Sequence, residues 1–137
     1  MTVFTEADAL QLQANLARNQ GERKPGKSAG EELSESKWQA EVCKHAHAAG
    51  YHLQYHTYDS RRSASGFPDL FLGRLLPRPR LVIAECKTNT GKVTVEQHAW
   101  LGFFRSIAAL CPGVIAVCVW RPRDRDEVLR VLSGKDE

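Results

Sequence analysis

The chain has 137 residues, a length that suits one domain with a single hydrophobic core. With 19 Lys and Arg against 16 Asp and Glu, the net charge is +3, which permits a nucleic-acid partner without requiring one. The 4 cysteines lack zinc-cluster spacing and no apolar run reaches transmembrane length, so we expect a cytoplasmic protein with reduced thiols, neither secreted nor membrane-bound.

The first 33 residues are predicted to form an arm outside the main domain. Thr5 and Asp8 match a capping box, which predicts a helix over residues 5–19 with a rough apolar stripe of leucines. Residues 20–33 are rich in glycine and charge, as is typical of a flexible linker. The main domain is therefore expected over residues 34–137.

That domain is predicted to begin with a helix from Ser34 to Ala49, with Gly50 as its C-terminal stop. Glu35 lies seven residues before Val42, which is nearly the same angular position at about 100° per residue. A carboxylate therefore lies over the apolar face of the helix. It is either a functional acid or an N-terminal acid favoured by the helix dipole.

A polar segment follows the next predicted element, a strand over residues 51–56 that ends at His56. The segment contains adjacent arginines, Arg61 and Arg62, and three serines, of which Ser65 is the last. Arginine and hydroxyl groups beside an acidic site are typical of phosphate positioning, although a solvated loop is the alternative. His56 is either a phosphate contact or a structural histidine.

Two short apolar runs carry charged residues that come together if the runs pair as a hairpin. Asp69 opens the first run, and Glu85-Cys86-Lys87 ends the second. Because side chains alternate along a strand, Glu85 and Lys87 share one face and Cys86 points to the other. Two carboxylates and a lysine at one end of a sheet could hold a divalent cation and face an anion; a plain Glu–Lys ion pair is the alternative.

The remainder of the chain completes an α/β pattern. Residues 73–80, with two prolines and three arginines, are predicted to connect two strands and to extend a basic rim. A helix begins after Thr94, which forms a capping box with Gln97. A buried strand over residues 114–119 and a short helix over residues 126–132 follow. The order predicts an α/β fold with a central mixed β-sheet flanked by helices.

The ordered motifs resemble those of one nuclease family. Pro68-Asp69 and Glu85-Cys86-Lys87 are similar to the PD-(D/E)xK signature, and the text around them resembles the VRR-NUC branch over about residues 34–132. The matching segments are Ser34-Glu35-x-x-x-Gln39, Gly50-Tyr51, His56-Thr57-x-Asp59-Ser60-Arg61-Arg62-Ser63, Gly66-x-Pro68-Asp69-Leu70, Glu85-x-Lys87-Thr88, Gln97, Trp100-Leu101 and Val119-Trp120-Arg121-Pro122. The resemblance implies a restriction-endonuclease-like fold, with residues 34–137 as a VRR-NUC-like nuclease domain.

The resemblance also implies a divalent-metal-dependent DNA endonuclease. Asp69, Glu85 and the backbone carbonyl of Cys86 would bind Mg²⁺ or Mn²⁺, which prefer oxygen ligands. Glu35 would bind a second metal directly or through water. Lys87 would orient the attacking water.

Further roles follow from the same resemblance. Gln97 would lie at the edge of the catalytic site, near water or phosphate, unless it serves only as a helix cap. The residues expected to contact the DNA backbone are Arg61, Arg62, Ser65 and His56.

The substrate and the assembly are less closely defined by the sequence. Stand-alone VRR-NUC domains resemble Holliday-junction resolvases, so branched DNA is the first expectation. Symmetric cutting of two strands needs two sites, which favours a homodimer. The alternative is a non-catalytic module that binds nucleic acid and positions DNA for a partner enzyme, and such a module would show no metal-dependent cleavage.

Overall fold

The computed structural model describes residues 5–19, 33–57 and 63–135 of the chain, without the side chains of residues 13 and 16–19. The helices are α1 (Glu6–Asn19), α2 (Glu35–Ala48), α3 (Val95–Ala108) and α4 (Arg125–Ser133). The strands are β1 (Leu53–His56), β2 (Leu70–Arg74), β3 (Arg80–Cys86) and β4 (Ile115–Trp120). A 3₁₀ turn at Pro122–Asp124 leads into α4. The predicted elements are therefore present, with boundaries that differ by one or two residues.

The four strands form one mixed sheet in the order β1-β2-β3-β4. β1 and β3 are antiparallel to β2, whereas β4 is parallel to β3 and is reached through α3. In the β2–β3 hairpin Leu70 pairs with Ala84, so the preceding Asp69 and the following Glu85 lie at the same end. The predicted α/β class, mixed sheet and hairpin are confirmed.

One face of the sheet carries the main core. Trp38 and Val42 of α2 are fully buried there with Leu70 and with Val128 of α4. The indole N–H of Trp38 donates to the carbonyl of Trp120 at 2.9 Å, which ties α2 to the end of β4. Burial of each such apolar side chain stabilises the fold by about 1.5–3 kcal/mol. This core fixes the start of α2 beside the ends of β2 and β3.

Helix α3 covers part of the opposite face. Leu101 of α3 is fully buried, and Ile83 of β3 is nearly so. Leu53 and Tyr55 on β1 are exposed because α3 packs on the β4 side of the sheet. An aromatic cluster fills the space between α3 and β2, and its members are Phe67, Phe71, Trp100, Phe103 and Phe104.

Two details of the predicted strands are wrong. Tyr51 lies before β1 and is fully buried, because the chain turns at Gly50, which has a φ of 94°. The strand predicted as buried, β4, is half-exposed over Ile115–Val119 because it lies at the edge of the sheet.

The N-terminal helix is confirmed as α1. The Thr5 N–H donates to Asp8 Oδ2 at 2.9 Å, and the Asp8 N–H donates to Thr5 Oγ1 at 3.2 Å. Leu10 and Leu12 are exposed, so these leucines of the predicted stripe are not buried. Leu33, assigned to the linker, packs against the core, and the linker prediction for residues 20–32 falls outside the described residues. Of the helices in the described ranges, none has the length and apolarity needed to cross a bilayer.

Candidate active site

Asp69 lies at the base of β2 and reaches across to β3. Its backbone carbonyl accepts a hydrogen bond from the N–H of Thr57 at 3.0 Å, which fixes the start of the strand. Its carboxylate Oδ2 accepts the N–H of Cys86 at 2.9 Å. The aspartate is therefore held against the Glu-x-Lys segment, although 16 residues separate Asp69 from Glu85 along the chain.

Glu85 and Lys87 are buried charges on the α3 side of the sheet. Glu85 is 1% exposed and Lys87 is 7% exposed, and Lys87 Nζ lies 3.6 Å from Glu85 Oε1. Among the described residues, Glu85 Oε2 is buried without a hydrogen-bond donor. Leaving a buried carboxylate oxygen unpaired is costly, so this atom indicates a site prepared for a positively charged group.

Gln97 caps α3 and also contacts one acid of the cluster, while its expected role near water or phosphate stays a prediction. Its Oε1 accepts the N–H of Thr94 at 2.8 Å, while Thr94 Oγ1 accepts the N–H of Gln97 at 3.1 Å, which completes the capping box of α3. Its Nε2 donates to Glu85 Oε1 at 2.8 Å. The first turn of α3 is thereby connected directly to the buried carboxylate.

Glu35 enters the cluster from the first turn of α2. Candidate ligand oxygens of Glu35, Asp69 and Glu85 all lie within 4.8 Å of one another. Oxygens that share one hard cation at about 2.1–2.4 Å are at most about 4.2–4.8 Å apart, so the cluster has the size and chemistry for Mg²⁺ or Mn²⁺. The predicted approach of three acids at one end of the sheet is therefore observed.

Cys86 contributes its backbone to this end of the sheet. Its N–H points towards Asp69, and the carbonyl of the same residue points to the same side of the strand. Its side chain is fully buried on the other face, and burial raises the pKa of the thiol, which keeps it neutral. The residue therefore offers an oxygen rather than a sulfur ligand.

The pKa values reflect the crowding of the acids. Burial, followed by the charge of Asp69, raises the pKa of Glu85 to about 8, against a smaller opposing effect of Lys87. Glu35 is exposed as a residue, but partial desolvation of its carboxyl and the charge of Asp69 raise its pKa as well. The carboxylates resist simultaneous ionisation, and a bound cation would remove that resistance.

The predicted DNA contacts are only partly described. Ser65 is exposed, and its carbonyl accepts the indole N–H of Trp100 at 3.1 Å. His56 is half-buried at the end of β1, opposite Leu70. Arg61 and Arg62 lie outside the described residues, so their role stays a prediction.

Sequence reasoning missed Arg121. Its Nη1 donates to the carbonyls of Thr88 and Gly91, which fixes the turn that follows Lys87. The carbonyl of Trp120 next to it accepts the N–H of Lys87 at 3.0 Å. Trp120-Arg121-Pro122, at the end of the strand parallel to β3, is one of the segments that match the family, but it carries no sequence signal for these backbone contacts.

A mixed α/β sheet with Pro-Asp and Glu-x-Lys joined at one end, and a further acid from the first core helix, defines a restriction-endonuclease-like nuclease domain. The chain belongs to the VRR-NUC domain family of nuclease domains, whose model matches residues 5–125. No curated protein and no solved structure gives a significant match. The match begins at residue 5, so it includes α1, which sequence analysis had set apart, and it ends where α4 begins.

Proposed function

We propose that this nuclease domain is a divalent-metal-dependent DNA endonuclease that hydrolyses phosphodiester bonds. Family membership supplies the nuclease class and DNA as the substrate. The observation that carries metal dependence is the buried, unpaired Glu85 Oε2 within the Glu35–Asp69–Glu85 cluster.

The oxygen donors define the proposed metal ligands. Asp69, Glu85 and the Cys86 carbonyl would hold Mg²⁺ or Mn²⁺, and Glu35 would hold a second ion directly or through water. The bound cation would lower the pKa of the attacking water and stabilise negative charge on the phosphate. Asp69 is oriented for this role by the Cys86 N–H, which occupies its Oδ2.

Two neighbouring side chains support the chemistry. Lys87 lies 3.6 Å from Glu85 and brings a buried positive charge to the place where water would attack. Gln97 holds Glu85 Oε1, so the carboxylate cannot rotate away from the cluster. In this assignment Lys87 orients and activates the water, and Gln97 positions the metal ligand.

We assign binding of the DNA backbone to the segment that precedes Asp69. The Thr57 hydroxyl donates a hydrogen bond to the carbonyl of Pro68, and its N–H donates to the carbonyl of Asp69, both at 3.0 Å. The segment therefore begins and ends beside the acids. This placement supports phosphate contacts by Arg61, Arg62 and Ser65, with His56 at the base.

Branched DNA and a homodimer complete the proposal. Helix α3 and the turn after it present exposed apolar side chains in helical register, Val95, Phe103, Ile107 and Leu110. A self-complementary contact along such a stripe would join two copies about a two-fold axis and supply two cleavage sites. The four cysteines form no disulfide, which agrees with the proposed cytoplasmic location.

The dimer is tested by light scattering coupled to size-exclusion chromatography. Leu110→Glu should convert the dimer to a monomer, because it places a charge in the apolar contact. Leu129→Glu on the exposed side of α4 is the matched control and should leave the dimer intact. A wild-type monomer at high concentration would contradict this part of the proposal.

The nuclease is tested with four-way junction, flap and linear duplex substrates in Mg²⁺, Mn²⁺ or chelator. Wild-type protein should cleave only with metal, and it should cut the junction fastest. Asp69→Asn should abolish cleavage and retain DNA binding, whereas Asp126→Asn, an exposed acid on α4, should behave like wild type. Binding without metal-dependent cleavage of any substrate would favour the non-catalytic module instead.

A further inference from the structure

A basic site lies at the end of the sheet opposite the three acids, at the turn between β2 and β3. The turn borders a cavity of about 100 Å³. Among the described residues its lining contains three arginines and no acid, and these lining residues are Arg74, Pro77, Arg78, Pro79, Arg80, Gly113, Ser133 and Gly134. The volume suits a single tetrahedral oxyanion rather than a large ligand.

The inner guanidinium groups are held in place by backbone carbonyls. Arg80, which is 5% exposed, donates from Nη1 to Gly113 at 3.0 Å and from Nη2 to Val131 at 3.4 Å. Arg74 donates to the carbonyl of Leu132 at 3.1 Å and lies over the ring of Tyr51. The end of α4 carries only about half a negative charge, so about one and a half of the two positive charges remain in excess.

Arg78 presents a third positive charge at the surface. It is exposed between Pro77 and Pro79, whose rings restrict the backbone of the turn. Among the described residues Arg78 has no hydrogen-bond or ion-pair partner, in contrast to Arg74 and Arg80. Its charge is therefore available to a ligand, and little of the turn needs to be ordered for binding.

We propose that this cavity binds a phosphate group of the DNA backbone, remote from the cleavage site. Arg80 begins β3 and Cys86 ends it, so the cavity and the acids are about 20 Å apart at about 3.3 Å per residue. At about 3.4 Å per base pair, this distance corresponds to about six base pairs of duplex. DNA as the source of the phosphate rests on the proposed function.

The contact would deepen that function by requiring duplex on one side of the cut. A stem shorter than about six base pairs reaches the acids without reaching the cavity, whereas a longer stem reaches both. The second anchor would therefore fix the direction in which the duplex leaves the cleavage site, which is a determinant of where the strand is cut.

The experiment measures DNA binding by fluorescence anisotropy in chelator, so that no cleavage occurs. Hairpin duplexes with stems of about 6 and about 16 base pairs are compared for wild type, Arg78→Ala, Arg78→Lys and Arg105→Ala. Wild type should gain affinity on the longer stem. In Arg78→Ala the affinity gain on the longer stem should be about fivefold smaller, and the slope of log affinity against log salt concentration should be less steep by about 1. Arg78→Lys should restore part of the affinity gain.

Arg105→Ala, which removes an exposed charge on α3, should keep the wild-type gain. Inorganic phosphate should compete with the long stem in wild type and should compete less with it in Arg78→Ala. An unchanged gain in Arg78→Ala would overturn the proposal, even if inorganic phosphate binds. Because the readout is binding in chelator, a protein that never cleaves would contradict the nuclease proposal without deciding this one.

Discussion

The two ends of β3 carry buried ionisable residues whose side chains have different kinds of neighbour. At the first end, the guanidinium of Arg80 donates to the carbonyls of Gly113 and Val131. At the last end, Glu85 Oε1 accepts from Gln97, while the carboxylate lies beside the like-charged groups of Asp69 and Glu35. Both residues are at most 5% exposed, so solvent does not account for the difference.

Under the proposed function, the difference separates a structural charge from a functional one. A buried ion whose hydrogen bonds are directed at backbone groups of the same fold stabilises that fold. A buried carboxylate beside two other acids opposes folding, as its pKa of about 8 indicates, and it becomes favourable when a cation binds. Five measurements test this contrast.

The largest effect is expected at Glu85. Glu85→Gln should lower metal-dependent cleavage at least about a thousandfold, which corresponds to about 4 kcal/mol of transition-state stabilisation. In chelator the same variant should unfold at an equal or higher urea concentration, because it removes a buried charge while keeping the shape. A substantial loss of stability would mean that Glu85 is structural.

The opposite outcome is expected at Arg80. Arg80→Met should lower the free energy of unfolding by about 3 kcal/mol, because the carbonyl of Gly113 loses its side-chain donor and that of Val131 keeps only the N–H of Gly134. Urea denaturation measures the loss. Arg130→Met, an exposed arginine on α4, serves as the control and should change stability by less than about 0.5 kcal/mol.

Gly66 tests how tightly the acidic end is supported. A Cβ at this position would overlap the backbone of Glu96 and Gln97, and the φ of 80° disfavours a side chain in any case. Gly66→Ala should destabilise the protein by about 2 kcal/mol and slow cleavage by moving Gln97. Gly102→Ala on α3 meets no atom within 4 Å and should stabilise by about 0.5–1 kcal/mol.

Metal addition sharpens the contrast without a mutation. At a concentration ten times its dissociation constant, Mg²⁺ or Mn²⁺ should raise the free energy of unfolding by about 1.4 kcal/mol. Thermal melting with and without chelator measures the effect. Glu85→Gln should lose most of it, whereas Asp126→Asn should retain it; equal shifts in both variants would place the ion elsewhere.

The smallest effect is expected at a partly exposed ion pair between α2 and α4. Arg125 hydrogen-bonds Glu41 at 2.7 and 3.0 Å, and this holds the pKa of Glu41 below its usual value. A lowered carboxyl pKa stabilises the fold above the unfolded-state pKa, and the contribution is lost as the pH falls through the folded-state pKa. Because both side chains are partly exposed, Glu41→Gln should cost only about 0.5 kcal/mol at pH 7 and nothing near pH 2.

Much of the acidic end followed from local sequence rules. The alternation of Glu85 and Lys87 on one face, and the approach of Asp69 across a hairpin, both depend on strand geometry and were correct. The placement of Glu35 depended on helical periodicity, and it too lies with the other acids. These inferences succeeded because strand and helix periods are properties of the chain itself.

The residue roles that sequence analysis did not predict depend on partners distant in sequence. Nothing in residues 73–80 reveals that Arg74 and Arg80 donate to carbonyls at the end of α4, because backbone acceptors have no sequence signature. The role of Arg121 at the turn after Lys87 was missed for the same reason. The exposure of β4 was missed because its edge position depends on the order of the strands.

The hydrogen bonds of Thr57 have a consequence for how this domain can diversify. The N–H and the hydroxyl of Thr57 donate to the carbonyls of Asp69 and Pro68, and the indole N–H of Trp100 donates to the carbonyl of Ser65. Insertions or exchanges between residues 57 and 65 would therefore leave Asp69, the proposed metal ligand, undisturbed. Relatives could acquire new DNA preferences by grafting different segments at this position, while the hydrolytic chemistry stays the same.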